Sequence, residues 1–290
     1  MNSFNKGIIA TSVGSFWWGF IGVIYFKYFS FIGHIELVVH RCIWTSVSLL
    51  FTTIYFSKWD LLFNIISNKK YLFILFFTSI LIFINWSVWI YAVAIDKIID
   101  ASFGYFIMPI ISVLFGFLFF NEKLNFHRLM AIILVILSIL YLLFSFGSIP
   151  WIGLSVAFSW AIYNLLRKKI NVDTDIGLLI ESLFIFPFAL LVFYLIYQKG
   201  LNDFSIKDPS LLLLLLLAGP MTVIPLFLYV RGVELIGLGP TGMIFYITPT
   251  LQFILGFFIY NEPFSTSKLI SFILIWFAVF IYLKDLYENN

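Results

Sequence analysis

Residues 105–123 read YFIMPIISVLFGFLFFNEK, and residues 245–263 read FYITPTLQFILGFFIYNEP. Laid over each other without a gap, they place Pro109 on Pro249, Gly116 on Gly256 and Asn121-Glu122 on Asn261-Glu262, at a constant offset of 140 residues. The match continues more weakly downstream, with Leu129 facing Leu269 and Ile133-Leu134 facing Ile273-Leu274. Trp18 and Trp160 stand near the start of each half at a slightly different offset. Two unrelated apolar stretches would not share a proline, a glycine and an Asn-Glu pair in register, so the chain reads as an internal repeat. Each stretch is an apolar run of the length that crosses a bilayer, about 20 residues.

Further runs of this kind extend along the chain in both directions. Ten are legible, at residues 7–29, 35–57, 71–94, 101–120, 126–145, 150–169, 176–197, 210–231, 239–260 and 266–284. Polar clusters such as 67–70 (SNKK), 121–123 (NEK), 167–169 (RKK) and 202–203 (ND) separate them. The runs are solidly apolar and too long for the strands of a membrane barrel, which need about ten alternating residues. The expectation is an all-α integral membrane protein of ten transmembrane helices. The repeat divides it into residues 1–145 and 146–290, five spans each. Five is odd, so the second half enters the membrane from the opposite side. Inverted repeats of this kind build a binding site near the midplane and alternate its access by rocking.

Composition agrees. Of 290 residues, 62% are hydrophobic, 21% aromatic and 11% charged, with a mean hydropathy of +1.07. A soluble domain of this length needs about 25% charged residues to cover its core, so a soluble globular protein and a disordered chain are both excluded. A net charge of +3 gives no footing for nucleic acid. One cysteine, Cys42, forbids an intrachain disulfide, and with three histidines it leaves little for a metal site or cofactor; neither is expected. The first apolar run is too long for a signal-peptide core and has no cleavage site after it, so it reads as a retained span. With the N-terminus inside, eleven loop Lys and Arg fall on the cytoplasmic side and five (Lys27, Lys97, Lys199, Lys207, Lys268) on the other. The positive-inside rule then places both termini in the cytoplasm.

Ionisable and polar residues inside spans are costly and are candidates for function. The second span holds Glu36, His40, Arg41 and Trp44; the first two and the last are spaced by four and share a helix face. Glu36 lies near the span's start, so a local pairing at the membrane surface competes with a role in a substrate cavity. In the third span Asn85 and Trp89 share a face, either as interhelical glue or as a polar group beside an aromatic shelf. Tyr163 lies in the sixth span, whose terminal Arg167-Lys168-Lys169 reads as a topology anchor. Glu181 lies about five residues into the seventh run and is a candidate proton carrier, unless it reaches water or Arg167. Tyr105 precedes Pro109, and Tyr246 and Gln252 flank Pro249. Pro109, Pro220, Pro225 and Pro249 are candidate hinges, because a proline within a helix leaves a carbonyl unpaired and bends the axis. Glu122 and Glu262 are positioned to cap the helix that follows each of them.

These motifs carry a resemblance. The stretches ELVVHRCIW (36–44), INWSVWIYAV (84–93), ASFGYFIMP (101–109), YNLLRK (163–168), GLLIES (177–182), GPMTVIPL (219–226) and SFILIW (271–276), with residues 246–264, resemble the drug/metabolite transporter superfamily, in its EamA group and its RarD-like permeases. The likeness runs over nearly the whole chain. It implies a ten-helix permease of two EamA repeats in a bacterial inner membrane, exporting or exchanging small metabolites. Two departures from the family pattern, Met108 where members usually carry Asn and the surroundings of Trp160, bear on the shape of the cavity. The leading expectation is a gradient-driven carrier for amino acids or related amphipathic compounds, not an enzyme, acting as a monomer or homodimer in the lipid bilayer. The alternatives are an intramembrane lipid-modifying enzyme, for which Glu36 and His40 are the sole acid–base pair, a chloramphenicol-type efflux permease, and a channel.

Overall fold

A computed structural model describes residues 2–146, 150–170, 172–203, 209–262 and 266–288. Lys207 and Pro263 lie outside the described residues, as does the side chain of Lys268. Among the described residues the structure is helical throughout. The helices are α1 (Ser3–Tyr28), α2 (His34–Tyr55), α3 (Trp59–Ser67), α4 (Lys69–Ala94), α5 (Ile98–Phe120), α6 (Phe126–Phe146), α7 (Trp151–Lys169), α8 (Thr174–Gln198), α9 (Pro209–Ile236), α10 (Leu238–Phe258) and α11 (Thr266–Glu288). Nine of the long helices are apolar enough to cross a membrane. The tenth, α7, has the length but not the apolarity, because it carries Ser155, Ser159 and Asn164 and ends in three basic residues.

The loops are short and their chemistry ends the helices. The side chain of Asn68 accepts hydrogen bonds from the Lys70 and Tyr71 amides and starts α4. Asn121 (φ 54°) and Asn261 (φ 52°) are left-handed, a conformation that asparagine tolerates at a helix C-terminus. The next amide in each case reaches six residues back, from Glu122 to the Gly116 carbonyl (3.1 Å) and from Glu262 to that of Gly256 (2.9 Å). The Asn-Glu pair of the repeat is thus a C-terminal stop. Its carboxylates reach across to the other half. Glu122 accepts from the amides of Leu238 and Gly239 at the start of α10, at 2.8 Å each. Glu262 accepts from Ile98 and Ile99 at the start of α5, at 3.2 and 3.0 Å. Each Glu thus caps the repeat counterpart of the helix it ends, α10 for Glu122 and α5 for Glu262.

The long helices pack chiefly as α1 on α9 and α10, α4 on α7 and α8, α5 on α7 and α10, α2 on α8 and α9, and α6 on α11. Exchanging the first five long helices for the last five, in order, leaves this set of pairs unchanged. Ser138 and Ser271 exchange hydrogen bonds with each other's carbonyls between α6 and α11. Tyr246 donates to the carbonyl of Phe106, its own counterpart in the repeat, at 2.8 Å.

Two helices are irregular where they meet. Residues Trp17–Gly22 of α1 form a π-turn, and α10 breaks at Phe245–Tyr246. Gly19 lets the π-turn press on α10: a Cβ there would sit 2.8 Å from the Thr248 carbonyl. Pro249 falls in the first turn after this break, and Pro220 in the first turn after a break at Leu217 in α9. A missing N–H is harmless at such positions. Pro109 and Pro225 instead lie inside continuous helical segments, as does Pro187 of α8. The matched prolines Pro109 and Pro249 therefore sit in different local structure.

One element lies outside the ten runs. The nine-residue α3 buries Leu62 and Ile65 and exposes Trp59, Leu61, Phe63 and Ile66 beside Asp60 and Asn64, the pattern of a helix lying in a membrane interface.

Candidate functional site

Arg41 occupies the middle of a buried aromatic cluster. It is the eighth residue of α2, about 10 Å from the helix start at 1.5 Å per residue, and is 2% exposed. Its guanidinium lies 4.6 Å from the ring centre of Trp86, 4.8 Å from Phe26 and 5.9 Å from Trp89. Nε donates to Thr222 of α9 at 3.0 Å. Four helices, α1, α2, α4 and α9, thus meet on this side chain. Stacking on ring faces favours the cation electrostatically.

Glu181 stands at the same place in α8, 140 residues on, and is equally buried. Thr78 of α4 donates to it at 2.7 Å and Tyr163 of α7 at 3.1 Å. Arg167 Nε approaches to 3.5 Å, and its Nη2 donates to the Thr174 carbonyl. The reading of the basic triplet as an anchor is corrected here. Arg167 turns inward to meet Glu181, Lys168 pairs with Glu122 at 2.6 Å, and Lys169 lies over Phe119. Trp86, which stacks on Arg41, also lines with Glu181, Thr45 and Ser182 a cavity of about 10 Å³, one water at most.

Between the two charges and α10 lies an aromatic box. Trp18 meets Trp160 edge to face at 4.9 Å, and both pack on Tyr229 and Phe245. Tyr163 stacks on Trp160 at 5.5 Å, and Tyr105 meets Phe245 at 5.6 Å. Asn164 donates to the Tyr229 hydroxyl at 3.2 Å, which faces Met108 Sδ at 4.0 Å.

The remaining sequence candidates spread around this centre. Glu36 is buried near the start of α2, accepts the Asp203 amide at 2.7 Å and lies 3.6 Å from His40 Nε2; His40 packs on Phe193. This is the local pairing, with His40 rather than Arg41 as partner. Asn85 bonds the Val156 carbonyl and Ser159 hydroxyl, tying α4 to α7. Trp44 meets α9, whose Gly219 backbone approaches the Trp44 carbonyl too closely for any Cβ. Trp89 faces Arg41, Tyr246 binds Phe106, and Gln252 is buried in α10. Sequence reading missed Tyr229, Thr222, Thr78 and Phe245, whose roles arise from helix crossings and leave no local pattern.

Both ends of the bundle carry polar ties between helices. At the end where α1 begins, Lys58 bonds Asp175 (2.8 Å) and Asp173 (3.3 Å), and Thr174 bonds Glu234 (2.5 Å). At the opposite end Gly33 donates to Asp203 (2.8 Å), and Lys27 pairs with Asp96. A cavity of about 640 Å³ opens beside Glu122, Lys123, Arg128 and Lys168, and an apolar one of about 650 Å³ lies among α1, α10 and α11. Arg41 and Glu181 line neither. Among the described residues no group of three His, Cys, Asp or Glu is placed to hold a metal.

The chain matches the EamA-like transporter family twice, over residues 5–144 and 148–284. It is 35% identical over 280 residues to the uncharacterized transporter YojE of Bacillus subtilis, covering 96% of this chain and 93% of that one. It is 33% identical over 280 residues to Protein RarD of Escherichia coli, covering 97% and 94%. The chloramphenicol-sensitive protein RarD of Pseudomonas aeruginosa is 25% identical over 252 residues, covering 85% and 83%. A protein of known crystal structure shares the fold with a TM-score of 0.68 at 13% identity, over 96% of this chain and 97% of its own. These matches extend over nearly the full length, and the chain belongs to the EamA-like transporter family of multi-pass membrane proteins.

Proposed function

We propose that this protein is a secondary carrier for small amphipathic metabolites, amino acids or compounds like them, working by alternating access between residues 1–145 and 146–290 as two inverted halves of five spans. In this reading all ten long helices cross a bacterial inner membrane, both termini are cytoplasmic, and the chain is not an enzyme. The observation that carries it is the buried cluster of Arg41, Glu181 and the aromatic box, built by helices of both halves and separated from both ends by polar ties. A carrier's binding site lies between its two halves and is reached from one side at a time. The contact set that survives exchange of the halves, and the crosswise capping by Glu122 and Glu262, support two units that move about a common axis.

Counterflow in proteoliposomes tests the proposal. Vesicles loaded with a mixture of amino acids and aromatic acids are expected to accumulate at least one labelled counterpart, saturably and without nucleotide. Glu181→Gln is expected to alter the rate or its pH dependence. Flux that does not saturate, or that appears as single-channel current, would replace the carrier by a pore.

A further inference from the structure

The buried charges do not balance. Glu181 has Arg167, and Glu36 has His40. Arg41, as deeply buried, makes no ion pair among the described residues and one hydrogen bond, from Nε to Thr222. A guanidinium has five N–H donors in one plane. The rings of Trp86, Phe26 and Trp89 lie against it, and among the described residues its four Nη donors make no hydrogen bond. The surroundings supply more donors and no carboxylate. The indole N–H groups of Trp86 and Trp89 have no acceptor, nor does the hydroxyl of Thr45, one helical turn along from Arg41. Buried donors in native proteins are ordinarily satisfied, and an unpaired buried charge costs several kcal/mol. A site of orphaned donors around one unpaired cation is complementary to an oxyanion.

We propose that Arg41 is the docking point for a carboxylate group of the transported solute, gripped by the free edge of the guanidinium while the solute's apolar part lies on the Trp86–Trp89 rings. This deepens the carrier reading and rests on it. The planar fork suits a carboxylate, which it binds through two parallel N–H bonds. One cation in apolar walls neutralises a monoanion and leaves a doubly charged phosphate uncompensated. Trp86, Trp89, Phe26 and Thr222 pack directly on Arg41, so entry requires α1, α2, α4 and α9 to part, which ligand-driven alternation supplies. The position that faces Arg41 across the repeat is Glu181, already satisfied by Arg167, Thr78 and Tyr163. Of the two charges related by the repeat, one is therefore without an ionic partner, and it is positive.

The purified full-length protein tests this through its own tryptophan fluorescence, since two indoles line the site. Acetate, phenylacetate, phenylalanine, phenylacetamide, phenethylamine and inorganic phosphate are titrated in turn. At least one carboxylate is expected to quench saturably, phenylacetate at least tenfold more tightly than phenylacetamide, with no response to phenethylamine or phosphate. Arg41→Met is expected to abolish the response and Arg41→Lys to weaken it. Arg41→Met without ligand is expected to melt at the same or a higher temperature, because it removes an uncompensated charge; a purely structural arginine would lower it. Equal binding of the amide, preference for phosphate, no response to any carboxylate, or an unchanged response in Arg41→Met overturns the proposal. Counterflow of phenylacetate separates the two readings. Binding without transport leaves the Arg41 site and removes the carrier; transport that survives Arg41→Met leaves the carrier and removes the site.

Discussion

Arg41 and Glu181 occupy one position in the repeat yet meet opposite conditions, and the difference lies in their neighbours. Thr78 donates one hydrogen bond to Glu181 and Thr222 accepts one from Arg41, but an ionic partner, Arg167, is present on one side only. Breaking such a buried pair by removing one member costs roughly 3–5 kcal/mol, whereas removing both is often close to neutral. Glu181→Gln keeps one carbonyl oxygen, an acceptor for Thr78 or Tyr163 but not at both positions, and strands Arg167. It is therefore expected to lower the melting temperature of the purified protein markedly, and Glu181→Gln combined with Arg167→Met is expected to recover most of the loss. Additive losses in that double-mutant cycle would show that the two side chains are not coupled. The sequence already displayed Glu181 as a carboxylate in an apolar run, and Arg41 likewise. It offered Arg167 as a partner for Glu181 but left that open beside a solvated anchor, because a basic triplet at the end of a span has the same pattern whether it is solvated or folded back. That choice is made by Gly177, whose missing side chain leaves room for the guanidinium.

At the scale of the element, helices are legible where composition dictates them and illegible where register does. The spans follow from apolar length. The Asn-Glu stops follow from a residue that tolerates positive φ next to one that caps. The π-turn at Trp17–Gly22 has no compositional mark, since a shift from the usual hydrogen-bond register to one residue longer changes no residue type; π-turns do concentrate at functional sites. Helix α3 escaped because nine amphipathic residues between two spans resemble a polar connection. The π-turn brings Trp18 to the aromatic box and depends on Gly19 lying against the Thr248 carbonyl. Gly19→Ala must push α1 away from the break in α10 and is expected to destabilise by about 1–3 kcal/mol, as overpacking does, and to slow counterflow. Gly22, one turn on, has its nearest neighbours at 3.5 Å, so Gly22→Ala is expected to be tolerated in both assays. Equal tolerance at the two positions would mean that α1 does not bear on α10 there.

The whole molecule is a bundle whose two ends are held by different chemistry. Near the start of α1 the tie is ionic, Lys58 to Asp173 and Asp175. At the other end the Lys27–Asp96 pair is joined by carboxylates that accept backbone amides, Asp203 from Gly33 and Glu36 from Asp203. Burial works against the Lys58 charge, but the hydrogen bonds and charges of Asp175 and then Asp173 override it and hold its pKa above the ordinary lysine value. For a base whose pKa is raised on folding, the stabilisation is fully present below the unfolded value of about 10.4 and is lost as pH rises through the higher folded value. The ionic tie is therefore insensitive to pH on the lysine side throughout the neutral range. The acid side behaves otherwise. Its hydrogen bond to Asp175 holds Asp173 above the usual carboxylate range, with burial adding to the effect and Lys58 opposing it. Asp173 thus contributes stability below the unfolded aspartate value of about 3.9 that is lost as pH rises through its folded value. Lys58→Met is expected to cost no more than about 1 kcal/mol, the ordinary worth of a partly exposed pair, and still to change the balance of states, because a conformational equilibrium responds to increments that small. Hydrogen exchange at neutral pH measures it. Lys58→Met is expected to raise exchange at residues 172–176 and 231–239, at the end where α1 begins, while Asp203→Ala is expected to raise it at residues 31–36 at the other. If each change loosens both ends together, the bundle breathes as one body rather than opening one end at a time, and alternation between halves loses its structural basis.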